Sequence, residues 1–540
     1  MTAHSHTAFD VVIIGAGIAG SSTLLELLSE HQAARPQASV LRVAVVERSG
    51  DHYGGVPYGS TRSGSSSLIV TPLRDFLPAD LLSEFVTWLS ERTDDILAGR
   101  LRISQAWVDE HASEIRRGDW ESLFVPRRLF GIFFDARVRA AISEASDVEV
   151  VEIQGEACDL YRREGMSSVT VRTSDEEFVI TSRVVVLALG SPPKRALAHE
   201  FSEGGVGLLI EDTHAGDLDE LLDSFRSHMV SLPPEASRDV LIVGANADAL
   251  ELLHAVHRWN FASPWDRRVI VLAPHGTPNT WSVRPDRTGE YRSRRLARYL
   301  ATTTDEALTS AGIYAGVEAD VIEAIGAGYS EQDTVPELKR LVDSAIDRLS
   351  LSEQLIFVHV HGNLINRFSR PTGGDYQRVA ADLLARHRIE VVTGRFVHSS
   401  ATQNGWIVTV TDDDNAETWE LEKTFGLIVN CSGFESLANT SDPLLRRLQQ
   451  RDIVTVASSH HGFVVDEGFR AAPGLFVAGP LLAGNLNDRL RVWHLESCRR
   501  VLDMATDVAA SVVAELRRGS AESDDAVRRG IPAGVGHPEN

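Results

Sequence analysis

Cysteine is scarce in this sequence. It occurs three times, as Cys158, Cys431 and Cys498, and no two of these residues are close enough to form a CxxC pair or a zinc knuckle. A disulfide-reductase mechanism that uses a CxxC pair is therefore excluded. The adjacent His460 and His461 lack an acidic or cysteine partner at metal-ligand spacing, so we expect surface histidines and no metal site.

Long apolar runs and excess positive charge are also absent. No stretch of about 18 uninterrupted apolar residues occurs, and the first residues, MTAHSHTAFD, have neither a basic start nor an apolar core. The chain has 53 Lys+Arg against 76 Asp+Glu, a formal net charge of −23. Such a charge repels a polyphosphate backbone. We expect a cytoplasmic protein that binds neither a membrane nor nucleic acid.

A pattern of strand, glycine turn and helix is present twice. The first copy is DVVII, GAGIAG and the leucine-spaced SSTLLELLSE, followed by a second strand, VLRVAVVERS. The second copy is DVLIVGANADALELLHAV at 239–256, followed by RRVIVLAPHG at 267–276. Each copy continues into alternating segments, at 148–190 and 389–433, that we interpret as three antiparallel strands entering a buried one. An α/β chain with two copies of one architecture is predicted.

The first glycine turn has the features of a dinucleotide site. Gly15, Gly17 and Gly20 fit GxGxxG, in which the glycines permit a tight turn, the approach of a pyrophosphate and close packing of helix on strand. Glu47 ends the next strand and is placed to bond the adenosine ribose hydroxyls, and Arg48 beside it is a further candidate for cofactor binding. These residues predict a bound dinucleotide.

The second turn is a degenerate version of the first. Gly244, Asn246 and Ala249 take the three glycine positions, where Asn tolerates positive φ and Ala is small enough for close packing. No acidic residue ends the strand VIVLAP, and Arg284 and Arg287 follow it. A missing ribose carboxylate with nearby cations favours a 2′-phosphate, and so NADPH over NADH. The alternative is a site that has kept the fold and lost its nucleotide.

Two further segments complete a family resemblance. VVVLALGSPP at 184–193, which contains Gly190, and LIVNCSGFE at 427–435 match the strand-plus-glycine element where two-dinucleotide flavoproteins leave each nucleotide domain. Over about residues 8–517 the chain resembles FAD/NAD(P)H flavoproteins, in particular flavin-dependent monooxygenases, including the amino-acid N-hydroxylating family. GGVPYGST at 54–61 also resembles bacterial FAD/NAD(P)-binding proteins.

The resemblance implies a Rossmann-like FAD-binding domain with a similarly built NAD(P)-binding domain inserted in it. Its implied parts are an FAD-binding first part at 8–200, the NAD(P)-binding domain at 236–435 and an FAD-binding second part at 436–517. We expect a helix from about Asp488 to Arg517 and a disordered tail at 518–540. The far end of FAD is expected near Gly479; many relatives have Asp next, where this chain has Pro480.

The implied activity is that of a monooxygenase that consumes NADPH. Reduced FAD and O₂ would form a C4a-hydroperoxide that oxygenates the amine nitrogen of a small amino acid or related metabolite. The Baeyer–Villiger arrangement FxGxxxHxxxW is absent, and no catalytic residue is assigned. The alternatives are an NAD(P)H-dependent flavin oxidoreductase without oxygen insertion and a non-catalytic FAD redox sensor.

Two segments near the expected flavin have open roles. Residues 54–76 could form a movable cover in which Tyr58, Leu68, Ile69 and Phe76 exclude water, and the serines in TRSGSSS suggest a mobile loop. An ordinary surface loop with an apolar anchor is the alternative. Trp493 and His494 are expected on the helix after GLFVAGP, with either a substrate-side role or core packing.

Overall fold

Two parallel sheets organise the chain. The computed structural model describes residues 8–34, 40–60, 62–163, 165–197, 205–257, 269–278, 290–329, 331–369, 373–412, 417–487, 490–493 and 497–528. Strand β1 begins the first sheet, and its side chains from Val11 to Ile13 are fully buried. An unbroken apolar run forms a central strand because helices cover both faces of such a sheet.

The first unit contains the elements before the first linker, which is the chain between Leu187 and Leu208; the second linker is the chain between Asn430 and Pro443. They are β1 (Ala8–Ile14), α1 (Ile18–Ala34), β2 (Leu41–Glu47), α2 (Gly55–Tyr58), α3 (Leu73–Phe76), α4 (Ala79–Glu91), α5 (Thr93–Leu97), α6 (Gln105–Glu110), α7 (Ala112–Arg117), α8 (Arg127–Glu144), β3 (Val148–Gln154), β4 (Glu156–Arg163), β5 (Met166–Arg172) and β6 (Glu177–Leu187).

The second unit lies between the two linkers. It comprises β7 (Leu208–Ile210), α9 (Leu218–Ser231), β8 (Val240–Val243), α10 (Ala247–His257), β9 (Val269–Ala273), α11 (Arg295–Thr302), α12 (Ser310–Gly326), α13 (Glu331–Ile346), α14 (Leu351–Ile356), a π-helical turn (Phe357–His361), α15 (Gly362–Ser369), α16 (Gly374–Ala385), β10 (Ile389–Thr393), β11 (Arg395–Thr402), β12 (Gly405–Thr411), β13 (Thr418–Phe425) and β14 (Leu427–Asn430).

The chain then returns to the first unit. The returning elements are α17 (Pro443–Gln450), β15 (Arg470–Ala472), β16 (Leu475–Val477), β17 (Asn485–Leu486), β18 (Arg491–Val492) and α18 (Cys498–Arg528). Helix α18 packs along α1. It begins later and ends later than expected, so residues 518–528 of the predicted disordered tail are helical. Residues 529–540 lie outside the described part of the chain.

The two sheets share one topology. The first has the order β15-β16-β6-β1-β2-β3, and the second has the order β10-β9-β8-β14-β7. All neighbours are parallel except the β15–β16 pair. In both, the strand before the glycine turn is central, and the chain crosses to the other side of that strand after β3 or β10, as in dinucleotide-binding folds. The predicted repeat is confirmed. Strand β7 belongs to the second sheet, although it precedes residue 236, the predicted start of the NAD(P)-binding domain.

One detail of the predicted repeat is wrong. The segments expected as three antiparallel strands each begin with a strand, β3 or β10, that joins its main sheet in parallel. A glycine, Gly155 or Gly394, then separates it from an antiparallel meander, β4–β5–β6 or β11–β12–β13. Glycine in a strand pattern often marks such a change of direction.

A helical insertion, α11 to α15, connects β9 to the rest of the second unit. Its core includes Ile313, Val317, Val321 and Phe357, and Trp493 of the returning chain packs into the same cluster. Among the helices that the structure describes, none is both long and apolar enough to cross a membrane.

Candidate functional site

The first glycine turn has the close contacts that glycine alone permits. Gly15 has φ +99° and its N–H donates to the carbonyl of Val46 at 2.8 Å. A Cβ on Gly15 would lie 2.4 Å from the carbonyl oxygen of Ala188, and one on Gly20 would lie 2.0 Å from the carbonyl oxygen of Gly15. Both residues therefore hold α1 against the sheet, as the motif predicts.

Gly17 differs from Gly15 and Gly20 because there is space next to its Cα for a side chain or a ligand. A Cβ there would meet only the Cα of Gly55, at 3.6 Å. Gly55, with φ +62°, and Tyr53, whose N–H donates to the carbonyl of Ala16 at 2.8 Å, bring residues 53–55 onto the turn. The start of the predicted cover segment therefore lies against the predicted pyrophosphate position.

Glu47 reaches the same turn from the end of β2. Its Oε2 accepts from the N–H of Ala16 at 3.0 Å, and its Oε1 accepts from the N–H and hydroxyl of Ser49 at 2.8 and 2.7 Å. These bonds fix the carboxylate beside the glycine turn, where the sequence expects the ribose. Arg48 instead points to solvent, 66% exposed, with its Nη1 3.8 Å from Oε1 of Glu156.

Two other predicted glycines end neighbouring strands at the same edge. Gly190 follows β6 with φ +78°, and Gly479 follows β16 with φ +80°. A Cβ on Gly479 would lie 2.8 Å from the Cβ of Ala19 in the first turn of α1. Since β16, β6, β1 and β2 are adjacent and parallel, their ends form one cradle. Its glycine backbone and its anchored carboxylate fit a dinucleotide.

The second glycine turn repeats the close contacts of the first at its first position. Gly244 has φ +108°, its N–H donates to the carbonyl of Leu272 at 2.8 Å, and a Cβ would lie 2.1 Å from the carbonyl oxygen of Cys431. The positive φ considered for Asn246 is wrong, because the described residues with positive φ do not include it. Its Oδ1 accepts from the N–H groups of Asp248 and Ala249 at 3.1 and 3.3 Å, and so caps α10.

The N-terminus of α10 also carries its own ion pair. Asp248, in the first turn, pairs with Lys194 of the first linker, and both side chains are mostly buried. Burial lowers the pKa of Lys194, but Asp248 outweighs that effect and the net pKa is raised. The helix terminus expected to meet a pyrophosphate is thus already occupied by protein groups. Arg284 and Arg287, the predicted 2′-phosphate ligands, lie outside the described residues.

A buried polar cluster that the sequence analysis missed joins the two units. Arg127, at the start of α8, donates to Glu251 of α10 at 2.9 Å and to the carbonyl of Leu68 at 2.8 Å. His214 approaches the same carboxylate at 3.7 Å. Glu251 is 4% exposed. The acidic Glu251 among the apolar residues in the interior of the helix ADALELLHAV was the available signal, because buried carboxylates need a partner.

The pKa values of this cluster follow from its charges. Burial raises the pKa of Glu251, but Arg127 and His214 outweigh burial and hold it well below its usual range. Burial lowers the pKa of His214, but Glu251 outweighs burial and the net pKa is raised. The pair Arg127–Glu251 therefore stays charged at neutral pH.

The serine-rich segment is buried at this interface, so the expectation of a mobile loop is wrong. Ser65 donates to Asp219 of α9 from its N–H and its hydroxyl, at 2.8 and 3.0 Å. The N–H of Leu68 donates to the hydroxyl of Tyr376 at 2.7 Å. Leu68 and Ile69 are buried, as side chains that exclude water must be. The segment is held between the two units.

The other residues considered in the sequence analysis pack against, or pair with, protein side chains where the structure describes them. Trp493 follows β18 instead of lying on a helix; it packs edge-on against Phe357 and donates to Asn366 at 3.2 Å. His494 lies outside the described residues. The ring of His460 is 5.2 Å from that of His359. A separate group, Glu110, His111 and Asp375, has metal-like spacing, but Arg378 pairs with both carboxylates.

The three cysteines are free and buried. Burial raises the pKa of the Cys498 thiol to about 12, against the opposing effect of a hydrogen bond with Tyr58. Burial also raises the pKa of Cys431 well above its ordinary value. These thiols are poor nucleophiles, since the thiolate is the reactive form.

Comparison with known proteins supports the fold. Residues 12–192 match a family model described as FAD-NAD(P)-binding. This agrees with the predicted FAD and nicotinamide dinucleotide cofactors. Uncharacterised proteins from Mycobacterium bovis and Mycobacterium tuberculosis are 29% identical over 528 residues, which cover 96% of this chain and 97% of each relative.

A solved structure has the same architecture. An ornithine N-hydroxylase from Kutzneria sp. 744 superposes with a TM-score of 0.51 at 17% identity, covering 95% of this chain and all of the other. An L-lysine 6-monooxygenase from Pseudomonas syringae gives a TM-score of 0.48 at 14% identity, over 94% and 99% of the two chains. The first match confirms the predicted fold, a Rossmann-like FAD-binding unit with a similarly built insertion.

Proposed function

We propose that this protein is an FAD-dependent oxidoreductase that consumes NADPH and O₂ and oxygenates the amine nitrogen of a small amino acid or related metabolite. The observation that carries the FAD assignment is the cradle formed by Gly15, Gly17, Gly20 and Glu47 at one sheet edge. Bound FAD would accept a hydride from NADPH and react with O₂.

The chain's own groups bind and orient the cofactor and exclude water. Gly17 would leave space for a pyrophosphate, the N-terminus of α1 would face it, and Glu47 would bind the ribose. The segment from Ser66 to Ile69 is buried, and we propose that it keeps water from the flavin. Exclusion of water favours oxygen transfer over the release of peroxide.

The choice of an amine substrate is supported by fold similarity. The Kutzneria structure is described as an ornithine N-hydroxylase with reduced FAD, NADP⁺ and L-ornithine, and it covers 95% of this chain. We take ornithine and lysine as the first substrates to test.

A second candidate is a flavoprotein whose second unit does not bind a nucleotide. The observation that favours it is the occupied N-terminus of α10, where Asn246 caps the helix and Asp248 pairs with Lys194. In that case FAD would serve as a redox sensor, or a different reductant would supply the electrons. The buried cysteines make a thiol relay a poor alternative.

Stopped-flow and product analysis of the purified protein separate these functions. We expect about one FAD per chain, anaerobic bleaching of the flavin by NADPH faster than by NADH, and hydroxylated product in proportion to NADPH consumed when O₂ and the right amine are present. An Nδ-acetylated ornithine is the matched control for the side-chain amine, because its δ-nitrogen is a non-nucleophilic amide and should give no Nδ-hydroxylated product.

Each other result selects a different function. NADPH oxidation that yields only hydrogen peroxide with every amine, or turnover of an acceptor without oxygen, would identify a reductase. FAD binding without reduction by either nucleotide would identify the sensor. Equal rates with NADH and NADPH would contradict the role of the arginines after β9. Purification without flavin, with no FAD uptake on addition, would contradict the whole proposal.

A further inference from the structure

We propose that His52 is a further cofactor-binding residue, whose Nε2 donates a hydrogen bond to the pyrophosphate of FAD. This rests on the proposed binding of FAD to the first unit. The sequence motifs do not include His52, and its assignment comes from its position and its unpaired ring nitrogen.

His52 belongs to the segment that lies on the glycine turn. The next residue, Tyr53, donates its N–H to the carbonyl of Ala16 at 2.8 Å, and Gly55 approaches Gly17 so closely that a Cβ on Gly55 would lie 2.7 Å from the Cα of Gly17. The chain directly after the histidine is therefore held on the turn where the pyrophosphate is expected.

The side chain is enclosed but incompletely bonded. His52 is 8% exposed, and its Nε2 has no hydrogen-bond partner among the described residues. Its Nδ1 lies 3.4 Å from the carbonyl oxygen of Gly50. The neighbouring Tyr53 uses its own hydroxyl elsewhere, on Glu152 at 2.6 Å. Buried polar atoms in native proteins almost always have a partner, so one is expected for Nε2.

A phosphate oxygen is the partner for Nε2 that the nearby glycine turn favours. A phosphate oxygen only accepts hydrogen bonds, so the Nε2–H of His52 would donate to it. The negative charge of the diphosphate would strengthen this bond. The N-terminus of α1 and the N–H groups of the glycine turn would bind the same diphosphate.

The test measures FAD affinity directly. The dissociation constant of FAD, followed by flavin fluorescence during titration of the flavin-free protein, should rise roughly 10-fold or more in His52→Ala, since the lost bond involves charge. His52→Gln keeps a donor and should lose less. His31→Ala is the matched control, because His31 lies in α1 and pairs with Asp147 at 3.4 Å. Its FAD affinity should stay within about 2-fold of the wild type, as expected for a change remote from the ligand.

A spectroscopic readout tests the assignment without any variant. In ¹⁵N-histidine NMR spectra, loading FAD should move the His52 Nε2 resonance toward that of a protonated, hydrogen-bonded nitrogen and leave His31 unchanged. The proposal is overturned if His52→Ala binds FAD like the wild type, or if the resonance does not respond to FAD. If His52→Ala does not fold, His52→Gln and the wild-type spectrum decide. Failure of the wild type to bind FAD would instead overturn the proposed function itself.

Discussion

At the scale of single residues, Gly15, Gly17 and Gly20 of the first turn have different roles. A Cβ on Gly20 would lie 2.0 Å from the carbonyl oxygen of Gly15, whereas one on Gly17 would have an ordinary contact of 3.6 Å. We therefore expect Gly20→Ala to destabilise the protein by about 1 to 3 kcal/mol or more, the range for overpacking. Gly17→Val should fold and lose FAD, because its branches enter the pyrophosphate space.

Two measurements distinguish these effects. Denaturant unfolding of the flavin-free proteins reports stability, and the absorbance ratio of flavin to protein reports FAD content. Gly118→Ala is a control for glycine replacement, since its φ is +76° but a Cβ there meets nothing within 4 Å. It should cost about 1 kcal/mol in stability from backbone strain and retain FAD. Full FAD occupancy in Gly17→Val would show that this turn does not hold the pyrophosphate.

At the scale of elements, the two glycine-turn helices differ in the charge of their first turn. Helix α1 has no acidic residue there, whereas α10 has Asp248. A carboxylate at a helix N-terminus competes with an anionic ligand for the same N–H groups and dipole. Asp248→Asn removes that charge and frees Lys194 to meet a phosphate.

We expect Asp248→Asn to tighten NADPH binding by about 3- to 10-fold, which corresponds to roughly 0.7 to 1.4 kcal/mol. Isothermal titration with NADPH measures this. Glu220→Gln is the matched control, because Glu220 is an exposed acid in the first turn of α9, a helix without a nucleotide motif. Unchanged or weaker NADPH binding in Asp248→Asn would mean that the nucleotide does not use this helix terminus.

At the scale of the whole molecule, the ion pair Arg127–Glu251 joins the two units. Both side chains are largely buried, at 12% and 5% exposure. Removal of one partner leaves the other charge buried without compensation, which typically costs about 3 to 5 kcal/mol. Glu251→Gln should therefore lower the unfolding midpoint and split a joint transition into separate transitions of the two units.

Differential scanning calorimetry checks this expectation. Asp119→Asn breaks an exposed pair, Arg117–Asp119, with side chains 58% and 52% exposed, and should change stability by less than about 1 kcal/mol. Because the pKa of Glu251 is held below its usual range, its contribution is fully present at neutral pH and is lost progressively as pH falls from the ordinary carboxyl pKa of 4.5 through the lowered value. A Glu251→Gln protein as stable as the wild type at pH 7 would show that the pair does not join the units.

The sequence by itself determined the parts of this protein that depend on local pattern. Apolar runs followed by glycines predicted β1, β8 and their turns, because strand burial and positive φ leave direct marks on residue choice. The repeat then predicted two similar sheets. Gly155 and Gly394 were the local signals that one strand ends before each meander begins. The sequence does not show whether that strand is parallel or antiparallel, because its direction depends on the strand with which it pairs.

Only the tertiary structure decided how distant segments meet. The sequence placed Ser65 and Leu68 in a mobile loop or cover, whereas hydrogen bonds from α9 and α16 hold them between the units. The sequence could not predict that Arg127 pairs with Glu251, or Lys194 with Asp248, because the partners in each pair are far apart along the chain. Such pairings depend on how the two sheets dock, which no local pattern of residues specifies.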